Sequence, residues 1–201
     1  PIRSEIENHY LPRLIEMKRV LKQNGTIYIH TGVNTSHWIR CLMDDVFECD
    51  NFRNEIVWYY NSAPRKKNCF GNRHDVIFRY SVSDNFVFNA IREPYSLTAP
   101  RGYEKEKYYH NEGKVIGDVW QIKILGQNDK KERTKYATQK PKELISRFVL
   151  ASTNEGDVVA DYYLGSGTTA VVCKELNRNF IGCDINPKAI ELTKSRLLDG
   201  R

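Results

Sequence analysis

The sequence predicts an α/β domain with parallel strands, and three observations lead there. A glycine turn, Gly165-Ser166-Gly167, directly follows a β-rich run and opens a helical stretch. A second β-rich run and a second helical run complete the chain, so its end reads β-α-β-α, with parallel strands joined by a right-handed crossover. The 201 residues, 40% hydrophobic and 28% charged, suit one domain that buries a core without disulfide or metal staples. That composition excludes a mainly disordered chain. No run approaches the roughly 18–20 consecutive apolar residues of a membrane span, so no membrane partner is expected.

The elements follow from local pattern. Residues 10–24 carry Leu11, Leu14, Ile15 and Leu21 near helical spacing, with Asn24-Gly25 as the expected C-cap. Residues 26–30 form a short β-rich run. Residues 36–47 place Trp38, Ile39, Leu42, Met43 and Val46 on one helical side. Strands are expected at 55–60 and 75–80, joined by a basic loop holding Arg65, Lys66, Lys67, Gly71 and Arg73. Residues 85–133 are the least regular, their one strong apolar signal running from Val115 to Leu125 around Trp120. Pro141 sits where a helix begins, with Leu144, Ile145, Phe148 and Val149 on its apolar face and Gly156 after it. The chain closes with a strand at 157–161, the turn at 164–167, a helix at 168–176, a strand at 179–184 and a helix at 187–198. This divides the chain into residues 1–84, an irregular insertion at 85–135, and a ligand-binding half at 136–201.

The formal charge of +6 is unevenly spread: Asn61 to Lys140 hold 16 basic and 9 acidic residues, and the other 121 residues hold 15 and 16. A positive excess confined to the middle third points to a polyanion, nucleic acid above all. Five cysteines without a C-x-x-C spacing indicate neither a zinc site nor a redox couple, and with no signal peptide a reducing cytoplasm is expected.

Gly165-Ser166-Gly167-Thr168-Thr169-Ala170 fits the pattern G-x-G-x-x-G/A after a strand and before a helix. The first glycine permits a sharp turn, the second lets a ligand approach the backbone, and the small last residue lets helix and strand pack closely. Asp184 lies 23 residues beyond Asp161, at the end of the next strand, where a carboxylate accepts ribose hydroxyls. A nucleoside-bearing cofactor is therefore expected. A P-loop is excluded, since no Gly-Lys-Ser/Thr follows the glycines. NAD would place a pyrophosphate at the helix N-terminus; S-adenosylmethionine carries an amino-acid end instead, and Asp161 would pair with its ammonium but repel a pyrophosphate.

With these residues in view, Asp161-Tyr-Tyr-Leu-Gly165-Ser-Gly-Thr-Thr169, preceded by Tyr136-Ala-Thr138-Gln139-Lys140-Pro141, resembles the beta-class DNA amino-methyltransferases, including the modification subunits of type III restriction systems. The similarity extends through residues 11–80 and Gly117-Asp118-Val119-Trp120. It implies a Rossmann-like, S-adenosylmethionine-dependent methyltransferase fold, seven-stranded and circularly permuted, with a loop-rich target-recognition insertion. It implies that Asp161 and the turn Gly165, Ser166, Gly167, Thr168 and Thr169 hold S-adenosylmethionine. It also implies Asp184 on the ribose, with Thr138 and Lys140 reaching the methionine end. Double-stranded DNA is the implied partner, a restriction subunit a possible second, and the exocyclic amine of adenine, rather than of cytosine, the implied acceptor. Ala137 and Tyr162-Tyr163 depart from the usual pattern without touching a polar contact.

The family's catalytic string, Asp-Pro-Pro-Tyr or a variant, is absent; the nearest string, Glu93-Pro94-Tyr95, reads as a turn. In the beta-class order that motif precedes the first helix, so it is expected upstream of Pro1, and its strand with it, leaving a sheet edge open. No catalytic residue is assigned. DNA contacts are expected from Arg65, Lys66, Lys67 and Arg73 and from Lys130, Lys131, Arg133 and Lys135. Two other classes compete: an NAD-dependent oxidoreductase, which leaves Thr138 to Pro141 unexplained, and a non-catalytic DNA-binding module.

Overall fold

The computed structural model describes residues 3–60, 67–95 and 110–199. It opens with helix α1 (Arg3–Val20), which starts well before residue 10 and carries Pro12 in its interior. A proline there lacks a donor and disfavours a helix locally; Ile6 and Leu14, both buried on one side, offset this by packing towards α2 (Ser36–Phe47). Asn24-Gly25 is not the cap: the helix stops at Val20, and Gly25 closes a turn by donating to Lys22 O at 2.8 Å. A Cβ on Gly25 would stand 2.6 Å from Leu21 Cγ, so close approach explains the glycine.

Strands β1 (Thr26–Thr31), β2 (Phe52–Tyr59), β3 (His74–Ser81) and β6 (Val119–Gln121) form one sheet in the order β1-β3-β2-β6. β1 and β2 each run antiparallel to β3, and β6 lies parallel to β2. Alternation along β3 sends Val76, Phe78 and Tyr80 to the face covered by α1 and α2. Ile77, with Ile56, Trp58 and Trp120, points to the other face, packed with Leu144 and Phe148 of α3 (Lys142–Ser152). Between β3 and β6 the chain is mostly irregular, holding the two-residue strands β4 (Arg92–Glu93) and β5 (Lys114–Val115) paired with each other. Its end is not separate, because β6 extends the first sheet through Val57↔Val119.

The C-terminal unit matches the expected β-α-β-α order: β7 (Val158–Asp161), α4 (Thr168–Glu175), β8 (Asn179–Gly182) and α5 (Pro187–Asp199), with β7 and β8 parallel. Among the described residues this pair is a separate two-stranded sheet, not a continuation of β1, so the single seven-stranded sheet implied by resemblance is absent from them. Val158 and Ile181 remain exposed on it. Helix α3 joins the two sheets: Leu144 belongs to the first core, while Val149 packs with Val172 and Cys173 of α4. Lys142 Nζ adds an ion pair to Glu175 at 2.6 Å.

Candidate functional site

The turn between β7 and α4 is fixed by two carboxylates, one from each parallel strand end. Asp161 accepts the Tyr163 N–H at 3.0 Å on one oxygen and the Thr169 hydroxyl at 2.6 Å on the other. Asp184 accepts the Gly165 N–H at 2.7 Å and, through its second oxygen, the Asn186 N–H at 2.8 Å. Both acids therefore stand at the same turn, where the N-terminus of α4 favours negative charge. Neither is a bystander that happens to fit a pattern.

The first glycine has the reason the pattern gives, a sharp turn, and the second has a different one. Gly165 and Gly167 take φ of +53° and +74°, a left-handed region that disfavours a side chain. A Cβ on Gly167 would lie 2.3 Å from Thr193 Oγ1, so its missing side chain admits α5 rather than a ligand. Ser166 and Thr168 are buried beneath the turn. Their hydroxyls bond each other at 3.1 Å, Thr168 donates to Lys140 O at 3.2 Å, and Arg196 Nη1 donates to Ser166 O at 2.7 Å. These two side chains brace the turn; Asp161, Gly165, Thr169 and Asp184, all partly exposed, form its accessible side. Ile185, fully exposed next to Asp184, is an apolar surface that sequence reasoning did not single out.

Upstream, Gln139 organises the segment before α3: its side-chain oxygen accepts from Thr134 N and Oγ1 at 2.7 and 2.8 Å, and its amide donates to Glu132 O at 2.8 Å. Thr138 is exposed. The Lys140 carbonyl faces α4, but its ammonium turns to the first sheet, 5.8 Å from the Trp58 ring centroid. There it meets a polar cluster missed by sequence reasoning: His30 Nε2 lies 2.9 Å from Asp75 Oδ2, and the Tyr60 hydroxyl donates to Asp75 Oδ1 at 3.3 Å. Burial works to raise the Asp75 carboxyl; the hydrogen bond and charge of His30, the charge of Lys140 and the Tyr60 bond outweigh it and hold it below its ordinary value. Burial lowers the Lys140 ammonium, and Asp75 opposes that shift in part. The only sequence signal was alternation, which puts His30 and Asp75 on one face of the sheet once β1 and β3 are known to pair. Helix α1 closes the assembly from another side, His9 Nε2 lying 3.2 Å from the Tyr163 hydroxyl.

Of the basic residues expected to meet DNA, Lys130, Lys131, Arg133 and Lys135 are exposed together between β6 and α3. Lys67 and Arg73 are exposed as well, while Arg65 and Lys66 lie outside the described residues.

A parallel strand pair whose two ends deliver carboxylates to one glycine turn defines a Rossmann-like nucleoside-cofactor unit. The family comparison makes this specific: residues 3–195 match the model for DNA methylase, and the chain belongs to that family. It is similar to the type II methyltransferase M.HpaI of Haemophilus parainfluenzae, 38% identical over 189 residues, covering 92% of this chain and 57% of that protein. It is also similar to the DNA adenine methyltransferase YhdJ of Escherichia coli K12, 32% identical over 193 residues, covering 92% of this chain and 64% of that one. The chain thus spans little more than half to two thirds of the length of these relatives. Among solved structures, the M1.HpyAVI–SAM complex matches 98% of this chain and 85% of its own with a TM-score of 0.67 at 24% identity. The cytosine-N4-specific PvuII DNA methyltransferase matches 99% and 79% with a TM-score of 0.68 at 16% identity, a likeness of fold alone.

Proposed function

We propose that this chain carries the cofactor-binding part of an S-adenosylmethionine-dependent DNA methyltransferase acting on the exocyclic amine of adenine in a restriction-modification system. The observation that carries the reading is the pair of carboxylates, Asp161 and Asp184, fastened to one glycine turn. The donor set fits the cofactor: Asp161 offers anionic charge to an ammonium, Asp184 offers acceptor oxygens to a ribose diol, and exposed Ile185 offers an apolar face to a purine. Asp161 at this helix N-terminus repels a pyrophosphate, which disfavours NAD. When bound, S-adenosylmethionine supplies an electrophilic methyl group on a sulfonium.

The chain's own residues bind and orient. Gly165 and Thr169 are presented by Asp184 and Asp161, and buried Ser166, Gly167 and Thr168 keep the turn from shifting. Thr138 and Lys140 reach the methionine end, Lys140 pairing with its carboxylate, and Asp75 lies beside the Lys140 ammonium. The exposed basic residues 130–135, with those of 65–73, serve as phosphate contacts on double-stranded DNA, and 85–135 as the target-recognition insertion. No catalytic residue is assigned to these 201 residues, which contain no Pro-Pro pair. Adenine is favoured over cytosine by the identity to a named DNA adenine methyltransferase, and a restriction system, with a companion restriction subunit as a further partner, by the type II relatives.

The test is calorimetric titration with S-adenosylmethionine and, in parallel, NAD. Saturable binding of the first alone, weakened at least tenfold by Asp161→Ala with the fold retained, is the expected result. Binding of NAD alone, or unchanged affinity in Asp161→Ala and Asp184→Ala, would sink the assignment. Mass analysis of nucleosides from DNA methylated by the enzyme separates N6-methyladenine from N4-methylcytosine.

A further inference from the structure

Strand β2 ends and β3 begins at the pair Tyr59↔His74, and the Tyr60 N–H still reaches Arg73 O at 2.9 Å. The loop between them therefore leaves the sheet at the end where the Tyr60 hydroxyl meets Asp75. That end adjoins the cofactor turn. Lys140 lies between the two, its ammonium beside Asp75 and its carbonyl accepting the Thr168 hydroxyl at 3.2 Å. Phe70 is three residues from Arg73, so its Cα lies within about 11 Å of the loop's foot at roughly 3.6 Å per residue.

Phe70 is 98% exposed, whereas the next most exposed aromatic side chain among the described residues, Tyr163, is 50% exposed. A phenyl ring held in water forgoes the gain of burying one of the largest apolar side chains. Ile185, as fully exposed, has the cofactor's purine to cover it in the reading above; Phe70 has no such cover in the chain or the cofactor. The charge around it indicates what the cover is. From 61 to 73 the sequence holds Arg65, Lys66, Lys67 and Arg73 and no Asp or Glu. Lys67, Asn68, Asn72 and Arg73 are all exposed beside the ring. An apolar protein surface makes no demand for an acid-free, basic surround. Stacked bases between two rows of phosphates do, because they offer flat apolar faces within a polyanion.

The exocyclic amine of adenine is paired and stacked inside a duplex, so methyl transfer to it requires the base to leave the stack. The gap left behind must be held open, and apolar side chains are what proteins insert between base steps. We infer that Phe70 is the wedge that fills this gap, stacking on the bases that flank the extruded one while Lys67 and Arg73 hold the adjoining phosphates. The inference rests on the methyltransferase reading above and adds to it the side chain that keeps the duplex open. Phe70 is a positioning residue, since it touches neither the sulfonium nor the amine.

The probe is a duplex with one stable abasic residue opposite thymine, compared by fluorescence anisotropy with the same duplex carrying adenine there. A preformed gap removes the unstacking cost whatever the target sequence. The whole chain is expected to bind the gapped duplex about tenfold more tightly than the intact one. Phe70→Ala should bind the two alike, with its melting temperature, its S-adenosylmethionine titration and the salt slope of its intact-duplex binding unchanged. Phe70→Trp should keep the preference, and its added indole emission should be quenched more by the gapped duplex than by the intact one. Lys67→Ala, as the contrast, should weaken both duplexes equally and flatten the salt slope. A wild type indifferent to the gap, or a Phe70→Ala chain that keeps the preference, would overturn the inference and leave the methyltransferase reading standing. Failure to bind either duplex would overturn both. Loss of self-association in Phe70→Ala, with the gap preference intact, would assign the ring to a second copy of the chain instead.

Discussion

The glycine-turn unit and the four-stranded sheet assemble polar sites by opposite means. At the turn, Asp161, Tyr163, Gly165 and Thr169 lie within nine residues of one another, and only Asp184, Thr193 and Arg196 come from farther along. On the sheet, His30, Tyr60, Asp75 and Lys140 come from four separate segments and meet only because β1 and β2 both pair with β3 and α3 packs behind them. A site held by near neighbours needs a particular backbone; a site held by distant ones needs the whole fold. The first is therefore most vulnerable to steric insult, and the second to loss of a shared partner.

The largest effect is expected from Gly167→Ala. Its Cβ would meet Thr193 Oγ1 at 2.3 Å from a φ of +74°, so about 2–4 kcal/mol of stability should be lost in chemical denaturation. Thr193→Ala in the same chain should restore part of that loss; if it restored none, the clash would not be the cause.

Asp75→Asn probes the dispersed site. Removing a carboxylate that His30 and Tyr60 both contact should cost about 1–3 kcal/mol near neutral pH. The folded Asp75 carboxyl lies below its ordinary value. Its contribution is therefore fully present above the unfolded carboxyl's pKa, about 3.9, and is lost as pH falls through the lower folded value. The stability gap between wild type and variant should narrow in acid, and a gap independent of pH would argue against the shared-carboxylate account.

Asp184→Asn is smaller. The amide keeps one acceptor for two backbone N–H groups, so about 1 kcal/mol should be lost, with weakened S-adenosylmethionine binding in calorimetry. A cofactor affinity unchanged while stability drops would restrict Asp184 to bracing the turn. Smallest in stability is replacement of Lys130, Lys131, Arg133 and Lys135 by alanine, where the melting temperature should hold. The salt dependence of DNA binding should nevertheless flatten, by about 0.9 in log–log slope for each phosphate that is no longer neutralised. An unaltered slope would remove this patch from the DNA interface.

Legibility followed the same division. The β-α-β-α order, the parallel pairing, the turn and helix α2 could be read because each rests on residues close in sequence: glycines with positive φ, apolar residues at helical spacing, and a proline at a helix start. The early start of α1 could not, since Pro12 argues locally against a helix and only packing of Ile6 and Leu14 overrides it. Nor could β6, whose three residues gain strand identity only from pairing with β2. The role of Gly167 was likewise misplaced: the space read as room for a ligand there is filled by α5.

By itself, then, the sequence determined the class of cofactor unit and the family, because a carboxylate, two glycines and two threonines in fixed order constrain a short backbone turn wherever they occur. Only the tertiary structure decided which of those residues brace and which present themselves. It also directed the Lys140 ammonium to Asp75 and Trp58. Those outcomes depend on which strands pair and on which face a helix covers, and both are decided by residues far apart in the sequence, while a one-residue slip in register would turn every side chain of a strand to the other face.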